Sequence, residues 1–202
     1  MSRFLFATLL GGLLLSLSAQ AQHEGHNMAG AGDAMMKAMQ ANMNQMMAMK
    51  PTGDADHDFA MMLKTHHQGA VDMVKAYTPH AQSAEMKKLA GRIEAMNKKE
   101  IGELTAFLGE HKPAATTSRF SQQAMQMMHQ GGKHSMSGNA DRDFAAMMSD
   151  HHQQGINMAN AFLKEAKTEK MRTMARKVVQ EQTKDIKDLQ AHLLHEPPNE
   201  SE

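Results

Sequence analysis

The sequence predicts an all-α protein, on three observations. Good helix formers such as Ala, Lys, Gln and Met are plentiful, while only 4% of residues are aromatic, Trp is absent and Pro occurs five times. Large apolar residues recur at spacings of three and four, the period of one helix face. An ungapped shift also lays Ala55 to Leu108 onto Ala140 to Leu193, so one helical unit is used twice. At roughly 100 to 200 residues per domain, a chain of 202 residues makes one compact domain with a real core, or two small ones.

Residues 1–21 read as an export signal, apart from the fold. Arg3 supplies a basic start, Phe4 to Leu17 is a short apolar run, and Ala19-Gln20-Ala21 fits the small-residue cleavage pattern. A helix of about 14 apolar residues spans only ~21 Å, short of a ~30 Å hydrocarbon core, which argues against a membrane anchor. Cleavage after Ala21 predicts a periplasmic or secreted chain with no anchor once processed, in an oxidising compartment.

Residues 22–50 form a Met/His-rich segment with His23 and His26 near its start. A short helix is expected from Asp33 to Lys50, and a mobile stretch from Gln22 to Gly32. The segment DAMMKAMQANMNQMMAMK contains no Leu, Ile, Val or Phe, so every large apolar position in it is methionine: 35, 36, 39, 43, 46, 47 and 49.

Residues 51–112 and 139–196 are the two copies, each an αα-hairpin. DHDFAMMLKTHHQGAVDM (Asp56 to Met73) faces DRDFAAMMSDHHQQGINM (Asp141 to Met158), and Met86/Met171, Ala90/Ala175, Ile101/Ile186, Leu104/Leu189 and Leu108/Leu193 keep the register. The first helix of each copy starts at acidic or Asn caps, near Asp54 or Asp56 and near Asn139. In copy one it ends before Pro79; in copy two it is expected to reach about Ala166. The second helices begin at Ser83 and Thr168 and carry apolar stripes, the last stopping at Pro197-Pro198. Neither hairpin buries its stripe alone, so packing the two together gives one four-helix bundle. The connector, 113–138, is Met-rich again, with Met125, Met127, Met128 and His129 before a loose GGKHSMSG stretch; 197–202 is a tail.

Composition narrows the chemistry. With 22 basic and 22 acidic residues the chain has no electrostatic footprint for nucleic acid. Without cysteine it has no disulfide, thiolate zinc site or iron–sulfur cluster, so metal chemistry falls to imidazole, thioether or oxygen. It has 23 Met and 13 His. Thioether is a soft, uncharged donor suited to Cu(I) and Ag(I), and it cannot be lost to a disulfide in an oxidising compartment.

Met62, His66 and Met73 lie within about 40° of one another on a helix, and Met147, His151 and Met158 repeat the stripe, with His67 and His152 one step round. Methionine at helical spacing is ordinarily core packing. Ligation is favoured by the all-Met segment, by the recurrence of Met with His in both copies, and by Gln, Asn and Lys neighbours that predict partial exposure. Candidate ligands are therefore Met62, His66, His67, Met73, Met147, His151, His152 and Met158, with Met36, Met39, Met43, Met46, Met47, Met125, Met128 and His129 from the flanking segments. The paired His have an equal alternative, in which hydrogen bonds to Asp56, Asp58 or their counterparts hold them. His80, His111, His192 and His195, near helix ends, fit the helix dipole or solvent.

The pattern D-x-D-F-x-x-x-M-x-x-x-HH-Q, from Asp56 to Gln68 and again from Asp141 to Gln153, resembles the domain-of-unknown-function-305 family of exported bacterial proteins. With its Met-rich segments the chain is similar to the CopM-type periplasmic copper-binding members, over about residues 54 to 196. The resemblance implies a ferritin-like four-helix bundle, Cu(I) and Ag(I) binding through Met62, His66, His67 and Met73 and through Met147, His151, His152 and Met158, and a role in copper resistance or export. The copies differ where Thr65 faces Asp150, and where Gln68-Gly69-Ala70 faces Gln153-Gln154-Gly155.

The expected function is thus a non-enzymatic copper carrier or buffer, with metal ions and periplasmic export or delivery proteins as partners. A ferritin-like di-iron oxidase would need Glu-x-x-His, which Glu85, Glu94, Glu103, Glu165 and Glu181 all fail to provide. The third alternative is a Met-rich chaperone or adaptor for apolar partners.

Overall fold

Each element of the computed structural model, which describes residues 28–114, 118–128 and 135–195, is helical. The helices are α1 (Met28–Met47), α2 (Ala55–Tyr77), α3 (Ala84–Glu110), α4 (Phe120–Met128), α5 (Ala140–Phe162) and α6 (Glu169–His195), with a 3₁₀ turn at Thr78–His80. The signal reading at 1–21, His23, His26, His129, His134 and the tail 197–202 lie outside the described residues.

The helix starts are made by side chains. Asp54 accepts from the N–H of Asp56 and His57, Ser83 from that of Met86, and Asn139 from that of Arg142, filling donors that a first turn leaves without partners. α5 ends at Phe162, before the expected Ala166. Lys164 and Glu165 bond back three residues, to Ala161 and Phe162, and then the N–H groups of Lys167 and Thr168 turn to the carboxylate of Asp56 at 3.0 and 2.7 Å. The mirror-image tie joins Asp141 to the N–H of Gln82 and Ser83, at 3.0 and 2.6 Å, and to the Tyr77 hydroxyl at 2.6 Å. The acidic residue at the second position of α2 and of α5 therefore holds the interhelical turn of the other copy.

This exchange relates the hairpins by an approximate two-fold axis. Phe59 stacks on Phe162 at 4.0 Å and Tyr77 on Phe144 at 4.1 Å, and these four residues are equivalent in pairs under the repeat. α2 and α5 run antiparallel through the middle, with an apolar core at each end.

α1 is 20 residues long and starts at Met28, within the stretch expected to be mobile; residues 22–27 of that stretch lie outside the described residues. Gly30, Ala31 and Gly32 belong to it, and Ala31, Met35 and Met46 are buried. Asn42 donates from Nδ2 to the Thr65 carbonyl at 2.6 Å, over Gly69, where any Cβ would collide with the Asn42 amide. Gly69 and His67 point ~200° apart on α2, so α1 covers the side of α2 away from α3. That cover explains why α2 is buried nearly all round and lacks the wet face expected of a bundle helix.

Candidate metal centre

Consecutive residues on a helix turn by ~100°, so the two histidines of each pair face different neighbours. His66 faces α5. Its ring lies on that of His151, with centroids 3.8 Å apart and planes 17° from parallel. Nε2 of His66 sits 3.1 Å from the backbone oxygen of His151, and Nε2 of His151 sits 3.1 Å from that of His66. A carbonyl oxygen only accepts, so each Nε2 carries the proton and each Nδ1 keeps its lone pair. Gly155 of α5 permits this approach, since a Cβ there would lie 2.9 Å from Cε1 of His66.

His67 faces α3, with Nε2 2.8 Å from Oε2 of Glu100; the other oxygen of Glu100 is 3.0 Å from Nζ of Lys177. His152 faces α6, with Nε2 3.5 Å from Oδ2 of Asp185, whose Oδ1 is 3.3 Å from Arg92. The two sets are equivalent position for position in the repeat. All four rings are buried, at 4% exposure or less.

Nδ1 of His66, and both ring nitrogens of His67 and of His152, are buried without a hydrogen bond of good geometry among the described residues; Nε2 of the last two meets its carboxylate only at ion-pair distance. Each such group costs about 1–3 kcal/mol when nothing satisfies it, and native structures rarely keep several together. A proton does not fill the gap. Burial, and then the charges of His151, His67 and His152, hold His66 well below the usual imidazole range; burial and then His152 lower His151 to about 3. A soft metal ion differs, because it gains coordinate bonds from neutral donors. Histidine ligands in metal sites typically donate their other ring N–H to a backbone carbonyl or a carboxylate, and His66 and His67 face those two partners.

Burial opposes ionisation of Glu100, yet the hydrogen bond and charge of His67, joined by Lys177, hold its carboxyl below the usual range. Beside it, burial and the Glu100 charge raise Glu181. The layer thus keeps a carboxylate next to His67. Asp56 and Asp58 do not hold the histidines: Asp56 is spent on the turn before α6, and Asp58 on Thr52, Gly53 and Ser121. The true partners, Glu100 and Asp185, were legible as one acidic position shared by both copies.

The methionine stripes do not converge on one ion. Met62 and Met158 sit in one core cluster, Met73 and Met147 in the other, with the histidine layer between them. Eleven residues of helix rise separate Met62 from Met73 by ~16 Å. Nor are they partly exposed, as their polar neighbours suggested; all four are buried, because α1 and α4 roof the α2/α5 pair. Met46 is buried, Met36, Met39, Met43 and Met125 are half-buried against the cores, Met47 is exposed, and Met128 ends α4. His111 stacks on Phe107 at 4.7 Å and lies 3.4 Å from Asp54, a helix-end role. Among the described residues no three His, Asp or Glu side chains converge as a metal cage.

The family model described as Domain of unknown function (DUF305) matches residues 56–193. A solved structure described as "CopM in the Ag-bound form (by soaking)" shares the fold with a TM-score of 0.53 and 24% identity, covering 69% of this chain and 95% of that one. No curated protein matches the chain. Among the described residues, no helix is long and apolar enough to cross a membrane.

Proposed function

Since this chain belongs to the domain of unknown function (DUF305) family, we propose that it is a non-enzymatic binder of Cu(I), and of Ag(I) with it, serving as a periplasmic carrier or buffer in copper resistance or export. The observation that carries this is the set of buried, unpartnered Nδ1 atoms on His66, His67 and His152, with the Nε2 atoms of His66 and His67 turned to a backbone carbonyl and a carboxylate. Imidazole binds copper in either oxidation state, and the thioethers stacked above and below prefer the monovalent ion. The similar solved structure is an Ag-bound form, which agrees with a soft monovalent cargo. Its partners are then the ion and the export or delivery proteins that exchange it. Ligand-by-ligand exchange along the Met-rich α1 needs no bare ion in transit.

Anaerobic titration with Cu(I) against a chelator of known affinity tests the proposal. Protein at micromolar concentration is expected to compete, and His67→Gln with His152→Gln to weaken that competition at least tenfold. Gln keeps a polar side chain beside Glu100 and Asp185 but offers no imidazole nitrogen. Absence of competition by the wild-type protein contradicts the proposal.

A further inference from the structure

Away from the histidine layer, where the end of α1, the start of α2 and α4 meet, five methionines line one small cavity: Met46, Met49, Met61, Met62 and Met125. No Leu, Ile, Val or Phe borders it, although Phe59, Leu63 and Phe120 are in the neighbouring core. Its free volume is about 10 Å³, near the lower limit for one water molecule and too small for an organic ligand. Met46 and Met62 are buried, whereas Met49, Met61 and Met125 are half-buried, so the donor set reaches from the core to solvent.

Two further features separate this cavity from ordinary packing. The fold does not require sulfur at position 61, since the equivalent residue of α5 is Ala146, with similar burial. Asp58 also borders the cavity, and it accepts hydrogen bonds from Thr52 N–H, the Thr52 hydroxyl, Gly53 N–H and the Ser121 hydroxyl. Its oxygens are thereby committed and offer no hard-cation site, while its negative charge remains beside the sulfurs.

We propose that this cavity is a second metal site, holding one Cu(I) or Ag(I) ion through thioether sulfur alone. It rests on the soft-metal reading for the choice of ion but uses no imidazole of the histidine layer. Uncharged sulfurs favour a monovalent d¹⁰ ion over Zn(II), Mg(II) or Ca(II), and the buried carboxylate balances a single positive charge. Three rotatable bonds per methionine let the sulfurs close on the ion without moving the helices.

The test follows methyl signals of ¹³C-methyl-methionine protein during titration with Ag(I), alongside imidazole ¹⁵N signals. The methyls of Met46, Met49, Met61, Met62 and Met125 are expected to shift together in one binding step. The triple variant Met49→Leu, Met61→Leu, Met125→Leu should bind one equivalent fewer while its imidazole signals respond as in wild type. Met61→Ala, which copies the residue of the second repeat, should weaken the same step and fold normally. The proposal is overturned if those five methyls stay still while histidine signals move, or if the triple variant keeps every equivalent. Moving methyls with silent imidazoles would support this site and refute the histidine one.

Discussion

Neutral burial of His66 and His151 gives the fold an acid-side weakness. An imidazole in the unfolded chain titrates near 6.5, whereas His66 is held well below that and His151 at about 3. Below about pH 6.5 the unfolded chain takes up protons that the folded chain refuses. Stability is therefore full above that pH and falls as pH drops through it, by of order 1 kcal/mol per pH unit for each ring. The urea midpoint should drop between pH 7.5 and pH 5.5, and His66→Gln with His151→Gln should flatten the profile. A wild-type midpoint that does not move over that range would contradict the neutral, stacked pair. Glu100 acts later: its lowered pKa makes its contribution present above about pH 4.5 and lost as pH falls further. An ion on Nδ1 competes with the same protons, so Ag(I)-loaded protein should resist acid better than the free form.

At the scale of the helices, the two hairpins are tied by exchanged caps. Asp141 accepts three hydrogen bonds from the first copy and Asp56 two from the second. Charged acceptors of this kind are each worth roughly 1.5–3 kcal/mol net. Asp141→Asn leaves an N–H facing donors, and should lower the thermal midpoint by about 3–10 °C, at 2–4 °C per kcal/mol for a chain of this size. Asp56→Asn should cost less, having fewer bonds to lose; equal and negligible effects in calorimetry would show the caps to be incidental. Local sequence made these residues legible as helix starters, which Asp54 and Asn139 prove to be. It could not reveal that Asp56 and Asp141 reach across to the other copy, because nothing in an acidic residue two places into a helix indicates a partner 58 to 112 residues away. The same limit applies to α1. Its methionines read as a ligand-rich strip, but Asn42 docking over Gly69 is a tertiary contact with no periodic trace.

For the molecule as a whole, duplication puts one chemical group on its own symmetry axis. The His66/His151 stack lies at the crossing of α2 and α5, and the methionines of both stripes form layers above and below it. The helical class, the repeat, the hairpins and the paired histidines were readable from spacing alone. The stripes were readable as stripes, but angular agreement on a helix says nothing about the rise along it, which puts Met62 and Met73 in different cores. Met61 lies off the stripe, and it meets Met46 and Met125 only through helices packed from either side.

The central claim is that tautomers fixed from outside leave Nδ1 as the metal-binding nitrogen in the core. Long-range ¹H–¹⁵N spectra of the imidazoles, recorded at pH 7.5 before and after one equivalent of Ag(I), test it directly. The claim predicts Nε2–H tautomers for His66 and His151 in the free protein, and shifts on Ag(I) binding at Nδ1 of His66, His67 or His152. Stoichiometric uptake of Ag(I) with every one of those Nδ1 signals unmoved would contradict it.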